Sequence, residues 1–275
     1  MTFGKRLAAA LDERGSLCVG IDPHPALLDG WGLADDADGL ARFAEICVEA
    51  FADTAAVIKP QSAFFEAYGS RGIAVLERTV AACRAAGALV VLDVKRGDIG
   101  TTMAAYARAY LDPDAPLGSD AITASPYLGV GSLEPVFELA TQHGCGVFVL
   151  ALTSNPEGPQ VQHSTTADGR PVAQAILDEV SARNGAADPL GSFGAVVGAT
   201  IHTTAVTLDT FTGPFLVPGI GAQGGTADDV RRIFGAALPA VVPSVSREVL
   251  RHGPHAGQLR AALEGQIEQF GFLRK

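Results

Sequence analysis

The sequence predicts an α/β protein, a single-domain (β/α)8 barrel, because strand-length apolar runs alternate with amphipathic stretches along its 275 residues. Eight such runs occupy residues 17–22, 56–60, 88–95, 121–126, 146–152, 194–199, 215–220 and 240–245. The runs are apolar on both faces, which is typical of parallel strands covered by helices. Between the runs, two sets of apolar residues keep the helical interval: Leu40, Phe43, Cys47, Ala50 and Phe51, and Ile73, Leu76, Val80 and Cys83.

An open, doubly wound sheet is the alternative arrangement of the same elements. No G-x-G-x-x-G turn follows the first run, so the dinucleotide-binding version of that fold lacks its main signal. No linker divides the chain, and we expect residues 1–275 to form one domain. Two polar segments interrupt the rhythm, an extended loop at 155–168 and a shorter segment at 184–192.

Composition and charge narrow the class of protein. Hydrophobic residues make up 48% of the chain and charged residues 18%, which is enough apolar material for a large core. The net charge of -10, without a Lys/Arg cluster, argues against nucleic-acid binding, so an anionic substrate needs a local positive site. The four cysteines form no C-x-x-C pair, no signal-peptide core follows Met1, and no apolar run approaches a membrane span. We therefore expect a cytoplasmic protein with no nucleic-acid or membrane partner.

Residues 93–102 read D-V-K-R-G-D-I-G-T-T and overlap the end of the third apolar run. Because a strand alternates its faces, Asp93 and Lys95 are expected to point the same way, and Asp98 follows where the chain leaves the strand. Burial alone favours a neutral lysine, but two carboxylates within reach would keep Lys95 an ammonium and make it a potential acid. Taken alone, a D-x-K pattern favours a structural ion pair over a catalytic one.

Chemistry in a barrel gathers at the carboxyl ends of the strands, and two more polar residues end apolar runs there. Asp22 ends the first run and either shapes the turn before Pro23 or accepts a hydrogen bond from a substrate hydroxyl. Lys59 lies at the end of the second run. An ammonium there needs a carboxylate partner, which Asp93 on the neighbouring strand would supply.

The last two strands are followed by a candidate phosphate site. The stretch 218–225, P-G-I-G-A-Q-G-G, has glycines that allow backbone amides to face an anion while Gln223 reaches over it. Arg247 follows the eighth run, where its guanidinium can bind a phosphate through two hydrogen bonds. Alternatively, the glycines only make turns and Arg247 pairs with Glu248 or another acid. The loops after strands 7 and 8 are the usual phosphate position in this fold, which favours the phosphate site.

The string D-x-K-x-x-D-I-G-x-T resembles the active-site motif of the orotidine 5'-phosphate decarboxylase family, and the resemblance covers most of the chain. It implies an alternating array of catalytic residues: Lys59, Asp93, Lys95 and Asp98. It also implies substrate contacts: Asp22 with the ribose, Ser154 with the pyrimidine edge, Gln223, Gly224 and Arg247 with the phosphate, and Thr102 at the end of the motif. Ser246 and Glu248, which flank Arg247, depart from the family's G-R-S pattern.

The resemblance further implies that orotidine 5'-phosphate is decarboxylated to UMP and CO2 without a cofactor or metal, with Lys95 as the proton donor. In that family the aspartate that Asp98 matches reaches into the active site of the other subunit, which implies a homodimer with shared sites. The extended segment after Ser154 and the A-F-F-E and S-N-P-E-G strings are similar to the longer bacterial subgroup of the family, found in actinobacteria and some other bacteria.

Two other functions remain open from the sequence. A Mg²⁺-dependent sugar-phosphate decarboxylase or aldolase-type synthase uses the same barrel, but needs an acidic ligand where Lys59 stands. A phosphate-binding barrel could instead serve as a ligand sensor, with a purely structural ion array. The histidines form no helical pair with a nearby acid and no recognisable metal triad: His24, His143, His163, His202, His252 and His255.

Overall fold

The computed structural model describes residues 1–201 and 206–274. Eight parallel strands form a closed barrel in sequence order, with the eighth strand paired to the first. The strands are β1 (Cys18–Ile21), β2 (Val57–Pro60), β3 (Leu89–Arg96), β4 (Ala121–Ala124), β5 (Gly146–Leu152), β6 (Phe193–Val197), β7 (Phe215–Val217) and β8 (Val241–Val245). Each strand overlaps one predicted apolar run, and the predicted (β/α)8 class is confirmed.

The α-helices alternate with the strands along most of the chain. They are α1 (Phe3–Arg14), α2 (Pro25–Gly30), α3 (Ala37–Phe51), α4 (Ser62–Glu66), α5 (Gly69–Ala85), α6 (Gly100–Leu111), α7 (Glu134–His143), α8 (Pro159–Gln162), α9 (Val172–Asn184), α10 (Ala227–Phe234), α11 (Arg247–Leu250) and α12 (Ala256–Gln269). Short 3-10 turns lie at Val130–Leu133, Gly235–Ala240 and Gly271–Arg274. The two sets of apolar residues predicted to be helical lie in α3 and α5. No helix formed by the described residues combines the length and apolar composition that a membrane crossing requires.

Side chains on the strands alternate between two apolar clusters. Val19, Ile58 and others face outward and pack beneath the helices. Val57, Val91 and their equivalents face into the barrel and pack with three apolar residues of α1, Phe3 among them. Because these inward residues lie near the beginnings of the strands, α1 closes the amino-terminal end of the barrel.

The contact of α1 with the barrel interior is close. The Phe3 ring meets the Phe148 ring edge to face, with centroids 6.0 Å apart. Position 146 is glycine because a Cβ there would lie 2.3 Å from a Phe3 ring carbon. At the same end of the barrel, Asp120 accepts hydrogen bonds from the Arg6 guanidinium at 2.5 Å and the Val90 amide at 2.9 Å. The amino-terminal end of the barrel is therefore filled, and a ligand has to enter from the carboxyl end.

The connection between β6 and β7 departs from the predicted alternation. Its described residues, 198–201 and 206–214, form no helix. Leu208 and Phe211 are buried instead, and the Phe211 ring centroid lies 4.7 Å from that of Phe215 in β7. Individual apolar side chains cover the sheet here, since the segment lacks the periodic apolar pattern that forms an amphipathic helix.

The extended segment 155–168 folds back against the end of β5. It contains α8, whose Gln162 side chain accepts from the Thr153 amide at 3.0 Å and donates to the Thr153 hydroxyl at 2.7 Å. Thr165 forms an isolated bridge with Pro171 just beyond the segment. These contacts hold the segment next to Ser154.

Candidate active site

The inward-facing positions of four strands change from apolar to polar toward the carboxyl ends. Two residues beyond Val57, Val91, Ala121 and Val242, on the same faces, stand Lys59, Asp93, Thr123 and Ser244. These four side chains and the loops that follow line a cavity of about 470 Å³, within the usual range for small-molecule sites. A groove of about 460 Å³ beside Lys5 lies at the other end of the barrel. The two volumes are similar. The first cavity is therefore identified as the candidate active site by its position at the carboxyl ends of the strands and by its polar side chains.

The buried carboxylate of Asp93 lies at the centre of the polar cluster. Lys59 Nζ donates to Asp93 Oδ2 at 3.0 Å, and Lys95 Nζ donates to Asp93 Oδ1 at 2.6 Å. The hydroxyl of Thr123 donates to the same Oδ1 at 2.8 Å. The structure thus brings together three of the four residues of the predicted array, and both carboxylate oxygens are held by cations.

The surroundings of Lys95 and its backbone conformation differ from those expected for a residue in a regular, buried strand. The prediction that the two side chains lie side by side is confirmed, but the assumed burial of Lys95 is wrong. Its side chain is 45% exposed, whereas that of Lys59 is 8% exposed. The strand is also irregular here, because β3 and β4 lose register between Leu92 and Arg96, and Lys95 has a φ of 46°.

Burial and charge act in opposite directions on this cluster. Burial disfavours the ammonium of Lys59, but the negative charges of Asp93 and Asp22 outweigh burial and raise the pKa of Lys59 above its ordinary value. Burial likewise disfavours the carboxylate of Asp93, but Lys59 and Lys95 hold the pKa of that carboxyl well below its usual range. Lys59 and Asp93 are therefore both charged at neutral pH, and the cavity contains a fixed ion pair.

Three of the predicted phosphate and pyrimidine contacts line the same cavity: Ser154, Gln223 and Arg247. Ser154 Oγ donates to Gln223 Oε1 at 3.2 Å, so the loops after β5 and β7 touch across the opening. Glu248 forms its ion pair with Arg251, so the alternative that Glu248 pairs with Arg247 is wrong. Within residues 1–201 and 206–274, Arg247 has no ion-pair partner, which leaves its guanidinium available to an anion.

The glycine loop 218–225 differs in detail from the expectation. Gly219, Gly221 and Gly224 all have positive φ, which explains the residue type at these turns. The Gly224 amide donates to the Gly221 carbonyl at 2.7 Å, and Gly224 is not among the residues that line the cavity. The expectation that Gly224 faces the anion is therefore not met. The loop presents the Gln223 side chain to the cavity instead.

Asp22 and Ser246 each have a buried polar atom without a hydrogen-bond partner among the described residues. Both residues line the cavity, and a Cβ at Gly20 would lie 3.0 Å from Ser246 Oγ and 3.2 Å from Asp22 Oδ1, so both atoms lie beside Gly20. Among the described residues neither atom has a hydrogen-bond partner, although both are buried. Since buried polar atoms are nearly always hydrogen-bonded, these two atoms are exceptions in the polar region beside the cavity.

Asp98 and Thr102 do not join the cluster within this chain. Asp98 Oδ1 accepts a hydrogen bond from the Ile99 amide at 2.8 Å and makes no ion pair with Lys95. Thr102 lies in the first turn of α6 and is exposed. Neither residue lines the cavity. The local array of one chain is therefore Lys59, Asp93 and Lys95.

Several cavity residues were missed by the sequence analysis. Thr123 interrupts the fourth apolar run, a polar signal that could have identified it. Gln61 follows Lys59 by two positions, and its Oε1 accepts from Lys95 Nζ at 3.4 Å. The His24 and Phe64 rings, with centroids 4.3 Å apart, also line the cavity, a contact between the loop after β1 and α4 that no local pattern predicts.

The metal-dependent alternative requires a cluster of metal-binding side chains. Within the part of the chain that the structure describes, no group of three or more His, Cys, Asp or Glu side chains is arranged to hold a metal ion. His202 lies outside the described residues. Lys59, a cation, stands where a metal-dependent enzyme of this barrel type would need an acidic ligand.

A family model and two curated relatives that match most of this chain carry the same enzyme name. A family model described as "Orotidine 5'-phosphate decarboxylase / HUMPS family" matches residues 15–262. The orotidine 5'-phosphate decarboxylase of Salinispora tropica is 62% identical over 263 residues, which cover 96% of this chain and 95% of that protein. The Streptomyces coelicolor enzyme of the same name is 62% identical over 262 residues, which cover 95% and 94%.

A solved structure supports the same assignment. The crystal structure from Streptomyces avermitilis that carries this enzyme name has a TM-score of 0.96 to the present structure at 59% identity, and the match covers 99% of this chain and 95% of that one. The sequence resemblance carried by residues 93–102 is thereby confirmed. The chain belongs to the orotidine 5'-phosphate decarboxylase / HUMPS family.

Proposed function

We propose that the ammonium of Lys95 protonates the pyrimidine carbon from which this chain removes the carboxylate of orotidine 5'-phosphate, forming UMP and CO2. The carboxy-lyase activity follows from family membership and from 62% identity over 96% of the chain. One observation supports the assignment of Lys95 as the proton donor. Its Nζ lies in the cavity, 2.6 Å from a carboxylate that is itself bonded to Lys59.

The reaction needs a cation beside a carbon that becomes negatively charged. When the C–C bond breaks, the electron pair stays on the ring carbon and CO2 departs, and an adjacent ammonium stabilises this charge before donating its proton. Lys59 keeps Asp93 ionised, and Asp93 in turn orients Lys95. Because the Lys95 side chain is 45% exposed, it can regain a proton from water after each turnover.

The other end of the cavity suits the nucleotide's sugar and phosphate. Arg247 offers a guanidinium without an ion-pair partner among the described residues, and Gln223 lies on the same wall. Asp22 lines the same cavity, and its carboxylate can accept a hydrogen bond from a ribose hydroxyl. Ser154, bonded to Gln223, lies between the loops where the pyrimidine edge would be read.

A second copy of this chain would complete the site. Asp98 accepts a hydrogen bond from the Ile99 amide and makes no ion pair with its own Lys95, and the exposed fraction of Ile99 is 63%. Tyr127 and Leu128, in the loop after the neighbouring strand β4, are 79% and 53% exposed. Apolar side chains exposed beside a carboxylate are typical of a subunit interface. We therefore infer a homodimer in which Asp98 of the partner subunit approaches Lys95, with Thr102 close to the same interface.

One assay tests the proposed activity against its rivals. Loss of orotidylate absorbance is followed with purified protein, with and without EDTA. We expect turnover that EDTA leaves unchanged. Activity that EDTA abolishes would support the metal-dependent alternative, and binding of UMP without any turnover would support a ligand sensor. A cytoplasmic location stays a prediction.

A further inference from the structure

Thr123 is buried in β4, and its hydroxyl uses all of its hydrogen-bonding capacity. Its proton goes to Asp93 Oδ1 at 2.8 Å. Its oxygen accepts the backbone amides of Val94 at 3.0 Å and Lys95 at 2.9 Å. One side chain on β4 thus contacts three consecutive residues of β3, two of which carry the proposed chemistry.

The irregular pairing of β3 with β4 explains why those amides need a side-chain acceptor. Leu92 pairs with Ile122 and Arg96 pairs with Ala124, so β3 advances four residues where β4 advances two. The extra residues of β3 cannot all bond to backbone carbonyls of β4. Val94 is buried, so its amide is also shielded from water. The Thr123 hydroxyl takes the place of the missing carbonyl acceptor for two of these amides.

Lys95 adopts a backbone conformation that is unfavourable for a lysine. Among residues 1–201 and 206–274, it is the one non-glycine residue with a positive φ, 46°. A side chain in this region is disfavoured, and such a conformation persists only where neighbouring contacts hold it. The hydrogen bond from the Lys95 amide to Thr123 Oγ1 is such a contact. With the backbone held in this way, Lys95 Nζ lies at 2.6 Å from Asp93 Oδ1.

We propose that Thr123 is a positioning residue for the proton donor. Its hydroxyl holds the Lys95 backbone in the left-handed conformation and fixes the carboxylate oxygen to which the ammonium bonds. The proposal rests on the proposed function in one respect, that Lys95 is the group whose position limits turnover. Threonine is required for its hydroxyl, so serine can replace it and valine, which has nearly the same shape, cannot.

Three variants test this role: Thr123→Val, Thr123→Ser and the control Thr79→Val. Thr79 is also buried, and its hydroxyl donates to the Val75 carbonyl at 2.8 Å in α5, away from the cavity. We expect Thr123→Val to lower kcat about 100-fold, as displacement of a catalytic group by about 1 Å does, while the affinity for UMP is retained. Thr123→Ser should keep most of the activity, and Thr79→Val should change neither kcat nor UMP affinity.

Two results would overturn the proposal. One is a Thr123→Val protein with a lowered Tm but normal kcat, which makes the hydroxyl merely structural. The other is a Thr123→Ser protein as impaired as Thr123→Val, since the hydroxyl would then not be the group that matters. Thr123→Ala provides a second hydroxyl-free variant. If both hydroxyl-free variants fail to fold while Thr79→Val folds, the hydroxyl serves the fold and the positioning role is rejected.

A structural readout separates this proposal from the proposed activity. In a crystal structure of Thr123→Val, or of Thr123→Ala, we expect the φ of Lys95 to become negative and the distance from Lys95 Nζ to Asp93 to lengthen. An unchanged Lys95 backbone contradicts the positioning role whether or not the protein turns over orotidylate. Failure of the wild-type protein to decarboxylate orotidylate would instead contradict the proposed function and leave the structural result interpretable.

Discussion

At the scale of single residues, Lys95 and Asp93 differ in what the fold requires of them. Asp93 is buried and bonded to three side chains, whereas Lys95 is nearly half exposed and contributes one of those bonds. We expect Lys95→Ala to fold, because Asp93 keeps Lys59 at 3.0 Å and Thr123 at 2.8 Å. Removing the proton donor should lower kcat by at least about 100-fold.

The Lys95→Ala measurement is a steady-state assay, with Tm and UMP affinity recorded on the same preparation. Lys5→Ala, which removes an exposed lysine at the other end of the barrel, is the control for loss of a positive charge. A folded Lys95→Ala protein with more than about a tenth of normal kcat rules out this lysine as the proton donor.

Arg247→Ala is expected to weaken binding of nucleotides that carry a 5'-phosphate. Loss of charge-assisted hydrogen bonds should reduce affinity for UMP about 10- to 100-fold and leave affinity for uridine almost unchanged. Titration calorimetry with both ligands measures the difference. Arg251→Ala is a matched control, because Arg251 lies four positions further on, pairs with Glu248 and does not line the cavity. If UMP and uridine weaken equally, the phosphate site lies elsewhere.

At the scale of elements, α1 closes the barrel end opposite the cavity. The ring of Phe3 is completely buried against Phe148 and the backbone at Gly146. Phe3→Ala should therefore lower the free energy of unfolding by about 3–5 kcal/mol. Because the site is at the other end of the strands, kcat and KM should be unchanged below the unfolding temperature.

Thermal or denaturant unfolding measures the effect of Phe3→Ala, and the exposed Lys5 on the same helix provides the control Lys5→Ala. A loss of less than about 1 kcal/mol would show that α1 is not needed to seal the interior. A stable variant with reduced kcat would show instead that the two ends of the barrel are coupled.

At the scale of the whole molecule, the position of Asp98 predicts complementation between inactive variants. Asp98→Asn and Lys95→Ala are mixed after reversible dissociation. In a shared-site dimer each heterodimer has one site with both groups intact and one site lacking both. Random pairing should then restore roughly a quarter of the wild-type activity per subunit.

Each homodimer kept alone through the same dissociation cycle is the control for this mixing experiment. If Asp98 acts within its own chain, every site keeps one defect and no mixing ratio recovers activity. Sedimentation at the assay concentration checks separately that the chain is dimeric, so that failed pairing is not mistaken for an unshared site.

The sequence by itself determined the barrel and the identity of the central ion array. Eight apolar runs define eight buried strands, because buried parallel strands need apolar side chains on both faces. Polar residues at the ends of those runs, Lys59 and Asp93, could be assigned to one edge because the carboxyl ends of parallel strands meet there. The motif at 93–102 was specific enough to indicate the family.

Only the tertiary structure decided how Lys95 meets Asp93 and what holds it. The sequence analysis predicted that Asp93 and Lys95 lie side by side because side chains alternate along a regular strand. That reason does not apply here, because β3 is irregular and Lys95 has a positive φ. The acceptor that compensates for this irregularity is Thr123, about 30 residues away on another strand. Such a contact depends on strand register, which local sequence does not encode. Two further details became visible only in the structure: Gly224 bonds within its own loop, and Glu248 pairs with Arg251 and leaves Arg247 free of it.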